Sequence, residues 1–215
     1  MAATASGAYN WACLINRPDP HKNLLVDGLK SRALNGLMRY SSSDAGTQYY
    51  QNGDRNGWRS SHDMKRSLTW DIDLGCWIDH LSKNIPRLQQ ILGDCPMVIQ
   101  PESTGGIFCM TEKSWWPIVL DKMFVIWARP GIMHDLQQYI SYDLSLYLDL
   151  EFDSIQGYEP QDHQRRLDCL LDKNLYVFNH ARDIYPTIYT QLVSARQSLG
   201  ASIYSKFCQS LDQLI

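Results

Sequence analysis

Three short segments concentrate the side chains that could do chemistry. Asn16-Arg17-Pro18-Asp19-Pro20-His21-Lys22 packs two cations, an acid and an imidazole into seven residues. Glu102-Ser103-Thr104-Gly105-Gly106 and Thr111-Glu112-Lys113-Ser114 are the other two. Glutamate is scarce in this chain, occurring only at 102, 112, 151 and 159, and two of these positions fall in the loaded segments. Arginine offers a bidentate fork and lysine a point charge, so Arg17, Lys22 and Lys113 suit an anionic phosphate. A helix opening at Thr111 would add free N–H groups and the positive end of its dipole. Glu112 is unwelcome beside a diphosphate, but a carboxylate accepts two hydroxyl protons well, which fits a ribose. Asp19, His21 and Glu102 are the groups able to take a proton from a reacting hydroxyl, and residue type alone does not rank them.

Strands and helices must hold these segments in place. Residues 9–15 (YNWACLI) read as a buried strand, broken at once by the two prolines of 16–20. A helix is expected over 21–34, with Asp19 as a candidate cap and Pro20 near its first turn, followed by a strand over 36–40. A Pro-interrupted helix over 76–92, a strand over 96–100, a helix over 112–121 and a strand over 123–128 (MFVIWA) come next. Helices over 134–142, 161–172 and 186–214, with a short strand over 146–150, complete the pattern. Strand alternating with helix implies an α/β fold: a Rossmann-like parallel sheet with flanking helices and a long C-terminal helix. In such sheets ligands sit at the carboxyl ends of the strands, where all three loaded segments fall. No repeat or linker interrupts the chain, so residues 1–215 are expected to form a single domain. The Gly- and Ser-rich stretch 41–67 is the one long loop, expected to be mobile or functional.

Composition narrows the classes. The 44% hydrophobic and 20% charged content of this 215-residue chain excludes a disordered protein and leaves room for a full core. A formal charge of −3 argues against bulk coating of nucleic acid. No apolar run approaches the roughly 20 residues of a membrane span, and the opening residues lack the pattern of a signal peptide. The six cysteines form no CxxC pair, and Cys13, Cys95 and Cys109 lie in or beside apolar runs, so a reducing, cytoplasmic setting is expected. The six histidines show no paired-ligand spacing, and no metal site is assigned.

At this point the chain resembles a family. Residues 13–22 (CLINRPDPHK), 97–103 (MVIQPES) and 108–118 (FCMTEKSWWPI) look like blocks of bacterial and phage-encoded glycosyltransferases. The nucleotide-sugar half of that group is similar to that of the α1,3-fucosyltransferases, of GT-B architecture. The likeness runs from about residue 9 to about residue 195, and Thr-Glu-Lys before an aromatic helix is its most specific piece. The resemblance implies a metal-independent transfer of a sugar from a nucleotide-sugar donor to an acceptor hydroxyl, with no cofactor. By it, Glu112 would hold the donor's ribose and Lys113 would face its phosphates beside Thr111. Arg17 and Lys22 would lie near the diphosphate, and Glu102 would face the sugar pocket. Asp19, Lys22 and Ser103 depart from the pattern, which more often has a basic residue, Arg and Thr there. The acceptor would be a glycan or a hydroxymethylated base in phage DNA, the latter met by Arg55, Arg59, Lys65 and Arg66 in the long loop. The alternative is a non-enzymatic nucleotide-sugar-binding or assembly protein.

The matched blocks belong to a donor half, so closure over the donor would need either the 41–67 loop or a second copy of the chain. The stripe Ile188, Leu192, Ala195 and Leu199, with Tyr185 and Tyr189 beside it, is the candidate homodimer surface. Other signals have plainer readings. Asp71 and Asp73 read as surface acids rather than metal ligands, and Glu151 and Asp153 as a solvated acidic loop. Trp115, Trp116 and Trp127 read as core, and His163, Arg165 and Arg166 as an exposed helix face.

Overall fold

The computed structural model describes residues 9–15, 20–32, 36–40, 89, 92, 95–102, 112–140, 142–157 and 159–212. Four five-residue strands form one all-parallel sheet: β1 (Trp11–Ile15), β2 (Gly36–Tyr40), β3 (Met97–Pro101) and β4 (Met123–Trp127), in the order β2-β1-β3-β4. Six helices accompany them among the described residues: α1 (Pro20–Ser31), α2 (Glu112–Val119), α3 (Ile132–Ile140), α4 (Glu151–Ser154), α5 (Pro160–Lys173) and α6 (Leu175–Asp212). The α/β reading therefore holds, as do all four principal strand assignments to within two residues. Of the expected helix over 76–92 only residues 89 and 92 are described, both helical, and the 41–67 loop lies outside the described residues.

Both faces of the sheet are apolar because both are covered. Along β1 and β3, Trp11, Cys13, Ile15, Met97 and Ile99 enter the main core, while Ala12 and Val98 face a smaller cluster with Leu92 and Cys95. Alternation with apolar residues on both sides is what a doubly covered parallel sheet requires. Gly36 opens β2 against the Trp11 ring, where a Cβ would stand 2.0 Å from Cε2.

The sheet stops at β4 because side chains complete its outer edge. The Tyr147 hydroxyl accepts from Phe124 N and donates to Phe124 O, both at 3.1 Å, and the Met133 sulfur accepts from Ile126 N at 3.2 Å. These are the backbone groups a further strand would use. The strand expected over 146–150 accordingly does not form. Leu144–Leu146 is a 3-10 turn capped by Asp143, and Asn174 takes the backbone of Asp149 instead, accepting from its N at 2.8 Å and donating to its O at 3.0 Å.

α2 ends in a Schellman turn. Asp121 adopts a left-handed φ of 52°, its N–H reaches Ile118 O, and Lys122 N reaches Pro117 O. Tyr185 and Arg196 of α6 hold that turn, by a hydroxyl bond to Asp121 O at 2.8 Å and an ion pair to Asp121 Oδ2 at 3.1 Å. The C-terminal helix begins at Leu175 rather than at 186, bends at His180 (φ −122°, ψ 20°) and runs through Pro186. A proline inside a helix removes one backbone bond, and packing offsets that cost here. The stripe Ile188, Leu192, Ala195 and Leu199 supplies this packing, being buried in the chain's own core. The stripe itself is therefore core rather than homodimer surface, while Tyr189 beside it is exposed.

Candidate functional site at the carboxyl edge of the sheet

The order β2-β1-β3-β4 places the switch in winding direction between β1 and β3. β1 connects through α1 to β2 on one side, and the chain then crosses to β3 on the other. Open α/β sheets bind ligands in the crevice at such a point. The strand register shows how this crevice opens. β1 and β3 pair only over Trp11–Cys13 and Met97–Ile99, while β1 stays with β2 to Ile15 and β3 stays with β4 to Pro101. The two central strands thus part before their carboxyl ends. Pro101, which has no N–H to donate, sits where that pairing has already ceased.

Charged and polar side chains converge around this edge although they are buried. Glu102, directly after β3, is 2% exposed; its N–H donates to Trp127 O at 2.9 Å, and its Oε1 accepts from Ser114 Oγ at 2.5 Å. Ser114 lies in the first turn of α2, so this bond docks positions 112 and 113 against the end of β3. A carboxylate at a helix N-terminus also meets the favourable end of the dipole. Lys22 and His21, 6% and 7% exposed, occupy the first turn of α1. The His21 ring stacks on Trp127 with centroids 5.0 Å apart and planes 8° apart, and its edge meets His163 at 5.2 Å. His21 Nε2 stands 3.3 Å from Trp127 O, and the Trp127 indole N–H donates to His21 O at 3.3 Å. Trp127 O is therefore shared by the end of β3 and the start of α1.

Arg166 completes the cluster from α5. It is fully buried, lies 4.9 Å over the Trp127 ring, and donates from Nη1 to Ala128 O at 2.9 Å and from Nε to Phe152 O at 3.3 Å. The expectation of an exposed face at His163, Arg165 and Arg166 thus holds only for Arg165. The signal was present: positions 163, 166, 167, 170 and 171 form one helical stripe with Leu167, Leu170 and Leu171. Asp153, expected in a solvated loop, is also fully buried, and its Oδ2 accepts from Met133 N, His134 N and His134 Nδ1 at 3.0, 3.0 and 2.8 Å, capping α3 from a distance. Gly131 (φ 81°) occupies the position before α3, offers no side chain, and donates its N–H to Asp153 O at 2.7 Å. Glu151 is exposed and pairs with Lys173. Trp127 belongs to the core as expected; Trp115 is half-buried against that core and Trp116 against the smaller cluster with Ala12 and Val98.

Of the residues singled out in the sequence, His21 and Glu102 both approach Trp127 O, Lys22 follows His21 in the first turn of α1, and Glu112 and Lys113 open α2. Arg17, Asp19, Thr111, Asp71 and Asp73 lie outside the described residues. Among the described residues no three His, Cys, Asp or Glu side chains are grouped to hold a metal ion, and no helix is long and apolar enough to cross a membrane. No family model matches this chain. Neither the curated proteins nor the solved structures contain a significant match.

Proposed function

We propose that this chain is a glycosyltransferase that moves a sugar from a nucleotide-sugar donor to an acceptor hydroxyl, its sheet serving as the donor-binding half of a GT-B-type enzyme. The observation that carries the reading is the parting of β1 and β3 at the switch point, with Glu102 buried directly after β3 and bonded into the first turn of α2, and with Lys22 buried in the first turn of α1. In this reading Lys22, Lys113 and Arg17 stabilise the leaving diphosphate, and preorganised donors of that kind supply a large share of catalysis. Glu112 holds the ribose hydroxyls, and Glu102 faces the transferred sugar. The acceptor is a glycan or a hydroxymethylated DNA base.

A thermal-shift panel of nucleotides and nucleotide sugars tests the reading. A ligand at 100 times its dissociation constant stabilises the fold by about 2.7 kcal/mol. Stabilisation by a nucleotide sugar, followed by nucleoside diphosphate release when acceptor is added, is the expected result. Because cationic side chains neutralise the diphosphate, turnover should survive chelation; loss in chelator with rescue by magnesium or manganese would refute metal independence. Binding without turnover would leave a nucleotide-sugar-binding protein, and no stabilisation by any ligand in the panel would refute the reading.

A further inference from the structure

The reaction proposed above needs a base for the acceptor hydroxyl, and one histidine outside the predicted set is built for that work. We propose that His134 and Asp153 form a proton-transfer dyad, with His134 Nε2 as the base and Asp153 as its positioning residue. The inference rests on the glycosyltransferase reading for its substrate and on geometry for the dyad.

Three observations support it. Asp153 is 0% exposed, and His134 Nδ1 faces its Oδ2 at 2.8 Å, whereas the His134 side chain as a whole is 48% exposed. A carboxylate accepts, so Nδ1 carries the proton and Nε2 is the basic nitrogen. The carboxylate is itself held by two backbone N–H groups of α3, which fixes the imidazole's orientation through a rigid element. A base held by a third group in this way is the arrangement of hydrolytic triads.

The dyad lies at the carboxyl end of the sheet, the end that carries the site. α3 begins just beyond the carboxyl end of β4, whose last residue, Trp127, bonds to Glu102. Arg166 links the two regions by donating to Ala128 O on one side and to Phe152 O, next to Asp153, on the other. His21 is less suited to the task, since its Nε2 is directed at Trp127 O and the residue is 7% exposed.

In the step envisaged, the acceptor hydroxyl gives its proton to His134 Nε2 as its oxygen attacks the anomeric carbon of the donor. The new C–O bond forms while the bond to the diphosphate breaks, and the diphosphate leaves with that electron pair. The imidazolium, stabilised by Asp153, then releases the proton to water.

Two measurements on the full chain test the dyad. In the first, wild type and Asp153→Asn are acylated with diethyl pyrocarbonate at pH 8, above the ordinary histidine range, and each histidine is followed by peptide mass spectrometry. His134 should react faster than exposed His180, and its rate should fall several-fold in Asp153→Asn while that of His180 holds. In the second, His134→Gln should lose about 10²-fold or more of nucleotide-sugar turnover while donor affinity stays within about twofold, as expected for lost general-base catalysis. A His134 rate indifferent to Asp153→Asn, or wild-type turnover in His134→Gln, overturns the proposal. If Asp153→Asn does not fold, a His134 rate no greater than that of His180 in the wild type overturns it. If the wild type turns over no nucleotide sugar, the glycosyltransferase reading fails, and the acylation rates alone decide the dyad.

Discussion

Replacing Arg166 with Met removes a buried cation while nearly preserving side-chain volume. The guanidinium satisfies Ala128 O and Phe152 O and lies 4.9 Å over the Trp127 ring, all in the protein interior. Each buried carbonyl left without its donor costs about 1–3 kcal/mol. The lost cation–π contact adds about 2 kcal/mol at a desolvated site. Relief of the cation's own desolvation returns part of this sum, because apolar groups of similar volume often replace buried charges well. A net loss of about 3 kcal/mol is expected, or about 6–12 °C in melting temperature for a chain of this size. Arg166→Lys should recover only part of the loss, since an ammonium keeps the charge but lacks the fork that spans two carbonyls. Urea unfolding monitored by circular dichroism reads both variants. A loss below about 1 kcal/mol for Arg166→Met, or full recovery by Lys, would refute the view that the fork joins the end of β4 to α4.

Other outcomes follow from the same geometry. Glu112→Ala should weaken nucleotide-sugar binding by about 1.5–3 kcal/mol with the melting temperature of the free protein unchanged; unchanged affinity with a lower melting temperature would make Glu112 only a helix-start residue. Burial holds the Asp121 carboxyl above its ordinary value of 3.8, against the pull of Arg196 and Lys122. The folded state therefore binds this proton more tightly than the unfolded chain, and the stability it contributes is full below 3.8 and lost as pH rises through the folded value. Wild-type stability relative to Asp121→Asn should fall as pH rises above 3.8; a gap that widens with pH would mean that the Arg196 ion pair dominates. Gly36→Ala should cost at least about 1–3 kcal/mol in urea unfolding, because its Cβ would overlap the Trp11 ring; a neutral result would show that the ring yields.

What the sequence determined by itself was the run of elements around the sheet. The apolar run 123–127 lacks alternation because both faces of β4 are buried, and that property is visible in one dimension. Pro20 at the first helical residue of α1 and the apolar blocks at 11–15 and 97–101 were legible for similar local reasons. Glu102 could also be picked out, since a charged residue directly after a strand in an α/β pattern falls at one edge of the sheet, and Lys22 because it lies at the start of the helix that follows β1. Tertiary structure decided the rest. Whether 146–150 becomes a strand depends on whether β4 has a free edge, and Tyr147 and Met133 have already closed it. The stripe on α6 can serve a core or a partner equally well, and only the packing of that helix against its own chain settles which. Arg166 and Asp153 carry the same polar side chains whether solvated or buried. Their burial follows from carbonyls and amides that neighbouring elements deliver, Ala128 O and Phe152 O to the one, Met133 N and His134 N to the other. Such partners are distant in sequence and leave no local pattern, so the cluster joining α1, β4 and α5 exists only once the chain has folded.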